Sequence, residues 1–224
     1  MTRRTRKRVA VLISGRGSNM AALVAAAIDP SFPAEIVGVV SNRADARGLE
    51  IAATHSIPTR VVSSRDYDGR EAHDAAIHKA LTQFKAEIVC LAGYMRLLTP
   101  DFVQKWKGRM INIHPALLPS FRGLDTHARA IATGVRVHGC TVHFVTPEMD
   151  EGPIIAQAAV PVLTDDTEET LGERVLKLEH RLYPLALRLL AEGSVRMSDG
   201  VAVFSGVEDE RRDIAIVSPG ERRD

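Results

Sequence analysis

The chain has 224 residues, 45% of them hydrophobic, and its 29 Lys and Arg against 28 Asp and Glu leave a formal net charge of +1. A chain of this length can bury a complete core, and so balanced a charge provides no overall attraction to nucleic acid or to an anionic membrane. We therefore expect neither as a partner, and an anionic ligand must be held by local groups.

The two cysteines, Cys90 and Cys140, lie in apolar runs. They are too few for a disulfide framework or a four-cysteine zinc site, so we expect a reducing, cytoplasmic setting. The basic start "MTRRTRKR" leads into the short apolar run "VAVLISG", which ends in a glycine loop. This run is far below the roughly 18 apolar residues of a membrane span and lacks a cleavage region. We expect a solvated basic tail there.

The first half of the chain alternates between strand and helix signals. Continuous apolar, partly β-branched runs predict strands over 8–14, 35–42, 59–64, 87–95 and 110–115, the last ended by Pro115. Helical spacing predicts helices over 20–28, 46–57, 69–84 and 99–108, the last with Thr99 as N-cap, Pro100 in its first turn and Gly108 as its stop. This alternation predicts an α/β fold, a doubly wound and mostly parallel twisted sheet of the Rossmann-like kind.

The pattern changes after residue 135. Two strands, 138–146 and 152–162, follow each other without a helix, which predicts an antiparallel addition to the sheet. A long helix is predicted over 167–193, capped by the Thr167 side chain alone because Thr170 is neither an acid nor Gln. Pro184 should kink this helix or divide it in two.

The C-terminal part of the chain carries a small hairpin signal and then a charged segment. Asp199-Gly200 predicts the turn of a hairpin over 195–206. No repeat or linker interrupts the chain, so we expect one domain over 1–206 and a charged, flexible tail over 207–224.

The segment "SGRGSN" at 14–19 is the first chemical signal. It places glycines between a strand and a helix, where a helix N-terminus can accept an anion. The dinucleotide fingerprint needs Gly or Ala where Met20 stands and an acid where Ser41-Asn42 end the second strand. NAD is therefore disfavoured, and a mononucleotide phosphate is expected; a purely structural turn is the alternative.

Asn112 and His114 are the second signal, because they alternate to one side at the carboxyl end of the fifth strand. Ligands of doubly wound sheets bind at this edge. An amide donor beside an imidazole could polarise a carbonyl and stabilise the oxyanion formed on attack. The alternative is that Asn112 caps a loop and His114 packs under Pro115.

Asp150 is the third signal. It lies in the loop between strands 138–146 and 152–162, just before Gly152-Pro153. A carboxylate near His114 would favour the imidazolium and could accept a proton, although an isolated loop acid is usually a turn residue.

Together, "NIHPALLPSFRG" and "HGCTVHFVTPEMDEGPII" resemble the signature of the folate-dependent formyltransferases. With "LISGRGSN" and "LAGYMRLL" they are similar to the branch of that family that acts on glycinamide ribonucleotide. The resemblance covers nearly all of residues 8–205, with four separated motifs in the same order and spacing.

The resemblance implies an activity. The formyl group of the cosubstrate 10-formyltetrahydrofolate would pass to the amine of glycinamide ribonucleotide in purine (IMP) biosynthesis, giving formylglycinamide ribonucleotide and tetrahydrofolate. No metal, NAD or ATP is expected, and the partners would be these small molecules. Members of the family vary in assembly, so a homodimer stays open beside a monomer.

The resemblance also implies roles for residues of this chain. The catalytic positions of the family match Asn112, His114 and Asp150. Its positions for the ribonucleotide match Gly15, Arg16, Gly17, Ser18, Asn19 and Glu179, and its folate positions match Arg70, Met95, Arg96, Leu97 and Leu98, together with Asn112. As a division of the domain, we expect the N-terminal half to bind the nucleotide phosphate and the C-terminal half to hold folate and the catalytic residues. Strand-end packing for 95–98 and a solvated helix face for Glu179 are the alternatives.

Three positions depart from the pattern of the family. Arg16 stands where Asn is common, Leu176 where some relatives carry a polar ribose contact, and Arg122 where the closest relatives often have Pro. The Arg122-Gly123 pair is reminiscent of methionyl-tRNA formyltransferase.

Other functions remain as alternatives. Methionyl-tRNA formyltransferase and formyltetrahydrofolate hydrolase normally carry a further domain, for which a chain ending at residue 224 is expected to have no room. A non-catalytic nucleotide-binding module is the alternative from another class. Metal binding by His138 and His143 is not expected, since residues five apart on a strand point to opposite faces.

Overall fold

A computed structural model describes residues 5–207 and residue 218. The strands are β1 (Lys7–Ile13), β2 (Ala34–Ser41), β3 (Thr59–Val61), β4 (Ile88–Leu91), β5 (Met110–His114), β6 (Val137–Phe144), β7 (Ile154–Pro161), β8 (Val195–Ser198) and β9 (Val201–Phe204). The helices are α1 (Ser18–Ile28), α2 (Arg47–Thr54), α3 (Arg70–Gln83), α4 (Pro100–Lys105), α5 (Thr126–Thr133) and α6 (Glu168–Glu192), with a 3₁₀ turn over Ser64–Asp66. Apart from Val207 and Ser218, the predicted tail over 207–224 lies outside the described residues.

Seven strands form one sheet in the order β3-β2-β1-β4-β5-β6-β7. The pairs from β3 through β5 are parallel, whereas β6 and β7 are antiparallel additions at one side, and β8 and β9 form a separate hairpin. The predicted fold class, including its antiparallel addition, is confirmed. The strand order reverses between β1 and β4, which is where doubly wound sheets open a crevice for a ligand.

The alternating side chains of β1 explain why helices cover both faces of the sheet. Val9, Val11 and Ile13 face a core shared with α1 and α6, while Ala10 and Leu12 face a core shared with α3 and α4. All five are fully buried. Full burial of one such Val, Leu or Ile contributes about 1.5–3 kcal/mol, so the strand can be stable only with both layers in place.

Helix α6 corrects two expectations. It runs unbroken through Pro184, so the predicted division is wrong. Its N-terminus carries a reciprocal capping box: the Thr170 amide donates to Oγ1 of Thr167, and Oγ1 of Thr170 accepts from the Thr167 amide at 3.0 Å. A threonine hydroxyl therefore does what Glu or Gln does in the usual motif.

Two predicted strands end earlier than expected. The fourth stops at Leu91 rather than residue 95, and the third stops at Val61. Helix α5 was not predicted, because its eight residues carry only a short helical pattern. The hairpin at Asp199-Gly200 is confirmed, with φ of 49° and 78° as a type I′ turn requires. Within the described part of the chain, every helix is too short or too polar to cross a membrane.

Asp166 fastens the loop before α6 to the second turn of that helix. Its carboxylate accepts two hydrogen bonds of 2.7 Å from the Arg174 guanidinium, and these hold its pKa well below the usual range. Because the folded state has the lower pKa, the stabilisation is present above the unfolded pKa of about 4 and is lost as pH falls through the folded value.

We therefore expect Asp166→Asn to lower the free energy of unfolding by about 1 kcal/mol near neutral pH. Urea unfolding measures this, with the exposed neighbour Asp165→Asn as the control. The difference between wild type and Asp166→Asn should shrink in acid; a difference that grows as pH falls would contradict this role.

Candidate active site

Three chain segments meet at the carboxyl edge of the sheet around the switch point. The glycine loop follows β1, residues 92–99 follow β4, and β5 ends with Asn112 and His114. The loop after β6 reaches the same place, because its Asp150 carboxylate lies 3.4 Å from Nδ1 of His114. The structure thus brings the predicted catalytic residues together.

The glycine loop depends on one of its two glycines. Gly17 has a φ of 75°, and a Cβ there would lie 2.6 Å from the Cα of Gly48, so only glycine fits. A Cβ at Gly15 would meet nothing within 4 Å. The Gly48 amide donates to the carbonyl of Gly15, which joins the start of α2 to the loop. Arg16 is exposed beside it.

Helix α1 starts at Ser18, so two residues of the predicted phosphate loop form its first turn. Met20, in place of the third glycine of the dinucleotide fingerprint, is fully buried in the core. The side-chain amide of Asn19 donates to a Glu179 carboxylate oxygen at 2.7 Å. Glu179 is only 5% exposed, so a solvated helix face is wrong for it, and burial raises the pKa of its carboxyl group.

Ser14 joins the segments that follow β1, β2 and β4. Its hydroxyl donates to Oδ1 of Asn42 at 2.6 Å and accepts from the Met95 amide at 2.8 Å, while its own amide donates to the carbonyl of Gly93. Asn42 occupies the place of the ribose-binding acid of dinucleotide enzymes, and here it serves this network instead.

The segment 95–98 is tied to α3 and to the 3₁₀ turn, and two of its apolar side chains face outward. Asp74, buried on α3, accepts from the Thr99 amide at 2.7 Å, and the Arg96 guanidinium donates to Ser64. Met95 and Leu97 are 62% and 59% exposed. Simple strand-end packing is therefore wrong for these two side chains. Leu98 is half-buried against the core beside α4, and Arg70 is exposed at the start of α3.

We expect Ser14→Ala to weaken binding at both the glycine loop and segment 95–98, because Asn42 and the Met95 amide would lose a buried partner. Such a loss costs about 1–3 kcal/mol, which corresponds to a rise in KM of about 5- to 150-fold if it is expressed fully in binding. Steady-state kinetics measures it, with Ser41→Ala, a buried serine bonded to its own turn, as the control. An unchanged KM for both substrates would contradict the role of Ser14.

His114 and Asp150 have to share a proton. Nε2 of His114 lies 2.9 Å from the carbonyl oxygen of Phe121, which can only accept, so Nε2 carries a hydrogen. Nδ1 faces the Asp150 carboxylate at 3.4 Å. Without a proton between them, two lone pairs would oppose each other in a site where both side chains are about nine-tenths buried. The geometry therefore favours a proton between Nδ1 of His114 and the Asp150 carboxyl group.

The segment 121–125 orients both partners of this pair. Besides the carbonyl that binds His114, it supplies the Gly123 amide, which donates to Oδ2 of Asp150 at 2.9 Å. Phe121, Gly123 and Asp125 all have positive φ. The Arg129 guanidinium holds the loop by donating to the carbonyls of Arg122 and Leu124.

Arg122 itself forms an exposed ion pair with Glu151, across to the loop of Asp150. Sequence patterns did not reveal the role of segment 121–125, because its contribution is made by backbone groups.

His143 was also missed. It faces Asn112 across the β5–β6 pair, and Nδ2 of Asn112 lies 3.2 Å from its Nε2. Its Nδ1 lies 2.8 Å from the carbonyl oxygen of Phe144, and its Nε2 lies 3.9 Å from Asp150. Burial lowers the pKa of His143. The signal that could have identified His143 is its place opposite Asn112, and this is known only once the pairing of β5 with β6 is known.

A second histidine pair lies behind the loop. Nδ1 of His127 is 3.2 Å from Nε2 of His138, and burial lowers the pKa of His138 to about 4. Burial also lowers the pKa of His127, so both rings are neutral near neutral pH. Within residues 5–207 no group of three or more His, Cys, Asp or Glu side chains is arranged to hold a metal ion.

Comparison with known proteins places the chain among relatives of one family. Residues 7–187 match the family model described as formyl transferase. A phosphoribosylglycinamide formyltransferase of Escherichia coli K12 is 42% identical over 198 residues, which are 88% of this chain and 93% of the relative. The crystal structure of glycinamide ribonucleotide transformylase 1 from Symbiobacterium toebii superposes with a TM-score of 0.87 at 45% identity, covering 89% and 94% of the two chains.

A longer relative matches at higher identity. The trifunctional purine biosynthetic protein adenosine-3 of Bos taurus is 51% identical over 202 residues, 90% of this chain. The chain spans only 20% of the length of that relative.

Proposed function

The chain belongs to the formyl transferase family, and on that basis we propose that it transfers the formyl group of 10-formyltetrahydrofolate to the amine of glycinamide ribonucleotide in purine biosynthesis. The products are formylglycinamide ribonucleotide and tetrahydrofolate. The observation that carries the proposal is the proton-sharing contact of His114 and Asp150 beside Asn112, at the switch point of the sheet.

The reaction begins when the neutral amine of the ribonucleotide attacks the formyl carbon. A C–N bond forms, and the electron pair of the carbonyl moves onto the formyl oxygen. Asn112 donates a hydrogen bond to this oxyanion. Both ring nitrogens of His114 already have partners, so its imidazolium stabilises the oxyanion through its charge.

Collapse of this intermediate completes the transfer. The oxyanion reforms the carbonyl, and the bond from the formyl carbon to the folate nitrogen breaks with its electrons left on that nitrogen. One proton moves from the attacking amine to the folate nitrogen. Asp150 relays this proton through water while supporting the imidazolium of His114. No metal, NAD or ATP has a part in these steps.

The binding residues divide between the two substrates. Gly15 to Asn19 hold the nucleotide phosphate at the N-terminus of α1, and Glu179 contacts the nucleotide from beside Asn19. Exposed Met95 and Leu97 offer apolar walls to the pteridine, and the backbone of 95–98 offers hydrogen bonds. Arg70 attracts the glutamate tail. All these groups lie within the proposed single domain, 1–206. A homodimer stays a prediction.

A formyl-transfer assay tests the proposal. Purified protein with 10-formyltetrahydrofolate should release tetrahydrofolate rapidly only when glycinamide ribonucleotide is present. Release at the same rate without the ribonucleotide would indicate hydrolysis instead, because water would be the acceptor. Binding of the ribonucleotide without any dependence on folate would favour a non-catalytic nucleotide-binding module.

A further inference from the structure

His143 is a buried titratable side chain that takes no part in the reaction steps proposed above. It is 3% exposed and lies directly opposite Asn112 in the β5–β6 register. The hydrogen-bonding groups around it are the carbonyl of Phe144, the amide of Asn112 and, at a longer distance, the carboxylate of Asp150. Their geometry determines where the ring carries its hydrogen.

A carbonyl oxygen cannot donate, so the 2.8 Å contact with Phe144 requires a hydrogen on Nδ1 of His143. In a neutral ring, Nε2 then has a lone pair. At 3.2 Å from Nε2, Asn112 must present its NH₂ group, because its carbonyl oxygen would place two lone pairs face to face. The contact with Asp150 at 3.9 Å is then not an ion pair.

The surrounding backbone keeps this ring in place. A Cβ at Gly152 would lie 1.7 Å from the Phe144 carbonyl oxygen and 3.3 Å from Nδ1 of His143. Only glycine therefore lets the chain after Asp150 pass so close to this hydrogen bond. The loop that carries Asp150 thus depends on the same few atoms that fix the tautomer of His143.

We propose that His143 is a positioning residue: as the Nδ1–H tautomer, it accepts one hydrogen of the Asn112 amide and so keeps the second amide hydrogen aimed at the formyl oxygen. The predicted effect on turnover rests on the proposed function, whereas the tautomer of His143 does not. An amide free to rotate by 180° would offer the oxyanion a carbonyl oxygen in half of its orientations. Displacement of a reacting group by about 1 Å already costs about a hundredfold in rate.

Two substitutions distinguish the contributions of the two ring nitrogens of His143. His143→Asn keeps a donor near Nδ1 for the Phe144 carbonyl and removes the acceptor at Nε2. His143→Gln does the reverse, since its side-chain oxygen reaches the place of Nε2. We expect kcat to fall about 10- to 100-fold in H143N and less than about fivefold in H143Q, with KM nearly unchanged in both. A purely structural role predicts the opposite order, because only H143N keeps the buried carbonyl paired.

A double-mutant cycle and a spectrum complete the test. In an Asn112→Ala background, H143N should lower kcat by less than about twofold further, because the amide that His143 positions is gone. Losses that multiply independently would overturn the proposal.

Nitrogen-15 NMR of the wild-type imidazoles should show His143 protonated at Nδ1; a hydrogen on Nε2 would overturn the proposal whatever the activity. A wild type that binds both substrates without formyl transfer would overturn the proposed function, while the spectrum still decides the tautomer.

Discussion

Asp150→Asn is expected to lower kcat by about a thousandfold while the protein folds normally. The amide cannot accept the proton that the reaction has to move, and it leaves the imidazolium of His114 without its counter-charge. Loss of a positioned general acid or base typically costs 10²–10⁴-fold, and loss of the counter-charge adds to this. KM should change little, because Asp150 contacts protein groups rather than the binding segments.

The control for Asp150→Asn is Glu151→Gln in the same loop. It removes an exposed ion pair with Arg122 and no proton acceptor of the site, so we expect turnover within about threefold of the wild type. Circular dichroism and thermal unfolding of both variants test for folding. An Asp150→Asn protein with wild-type kcat would remove Asp150 from the mechanism.

Asn112→Ala is the second large effect that we expect. The substitution removes the hydrogen-bond donor to the oxyanion, and removal of one such donor costs about 10²–10³-fold in kcat. The side chain is only partly buried at the end of β5, so the strand should remain paired with β4 and β6.

Asn112→Asp sharpens this test, because it has the same shape but no donor. A carboxylate there would face both the developing oxyanion and the lone pair of His143. We expect its kcat to be no higher than that of Asn112→Ala. Single-turnover kinetics with both substrates saturating measures these losses; an Asp variant faster than the Ala variant would contradict the oxyanion role.

The sheet could be predicted from the sequence because its signals are local. Apolar runs, alanine-rich segments and the Thr99-Pro100 cap each specify an element from neighbouring residues, and the structure has these elements within a few residues of the predicted bounds. The errors lie where contacts with residues distant in sequence determine the end of an element. The strand at 87–95 stops at Leu91, and the Met95 amide bonds to the side chain of Ser14.

The candidate site divides in the same way. Asn112, His114 and Asp150 carry side chains whose chemistry is visible in the sequence. Asn112 and His114 share one side of a strand end, whereas the end of β6, which leads to Asp150, lies beside the start of β5, so the contact of Asp150 with His114 was expected only from the family resemblance. The parts of the site that were missed act through backbone groups or through the register of paired strands. The Phe121 carbonyl and the Gly123 amide orient the catalytic pair without any side-chain signal. His143 meets Asn112 only through the antiparallel pairing of β5 with β6.

Transfer of an isotope-labelled formyl carbon tests the central claim most directly. The protein should be given 10-formyltetrahydrofolate labelled with carbon-13 at the formyl group, together with glycinamide ribonucleotide, and the products followed by mass spectrometry. We predict one labelled formyl group in the nucleotide for each tetrahydrofolate released, with essentially no labelled formate. Label that accumulates as formate, with the ribonucleotide unchanged, would contradict the account.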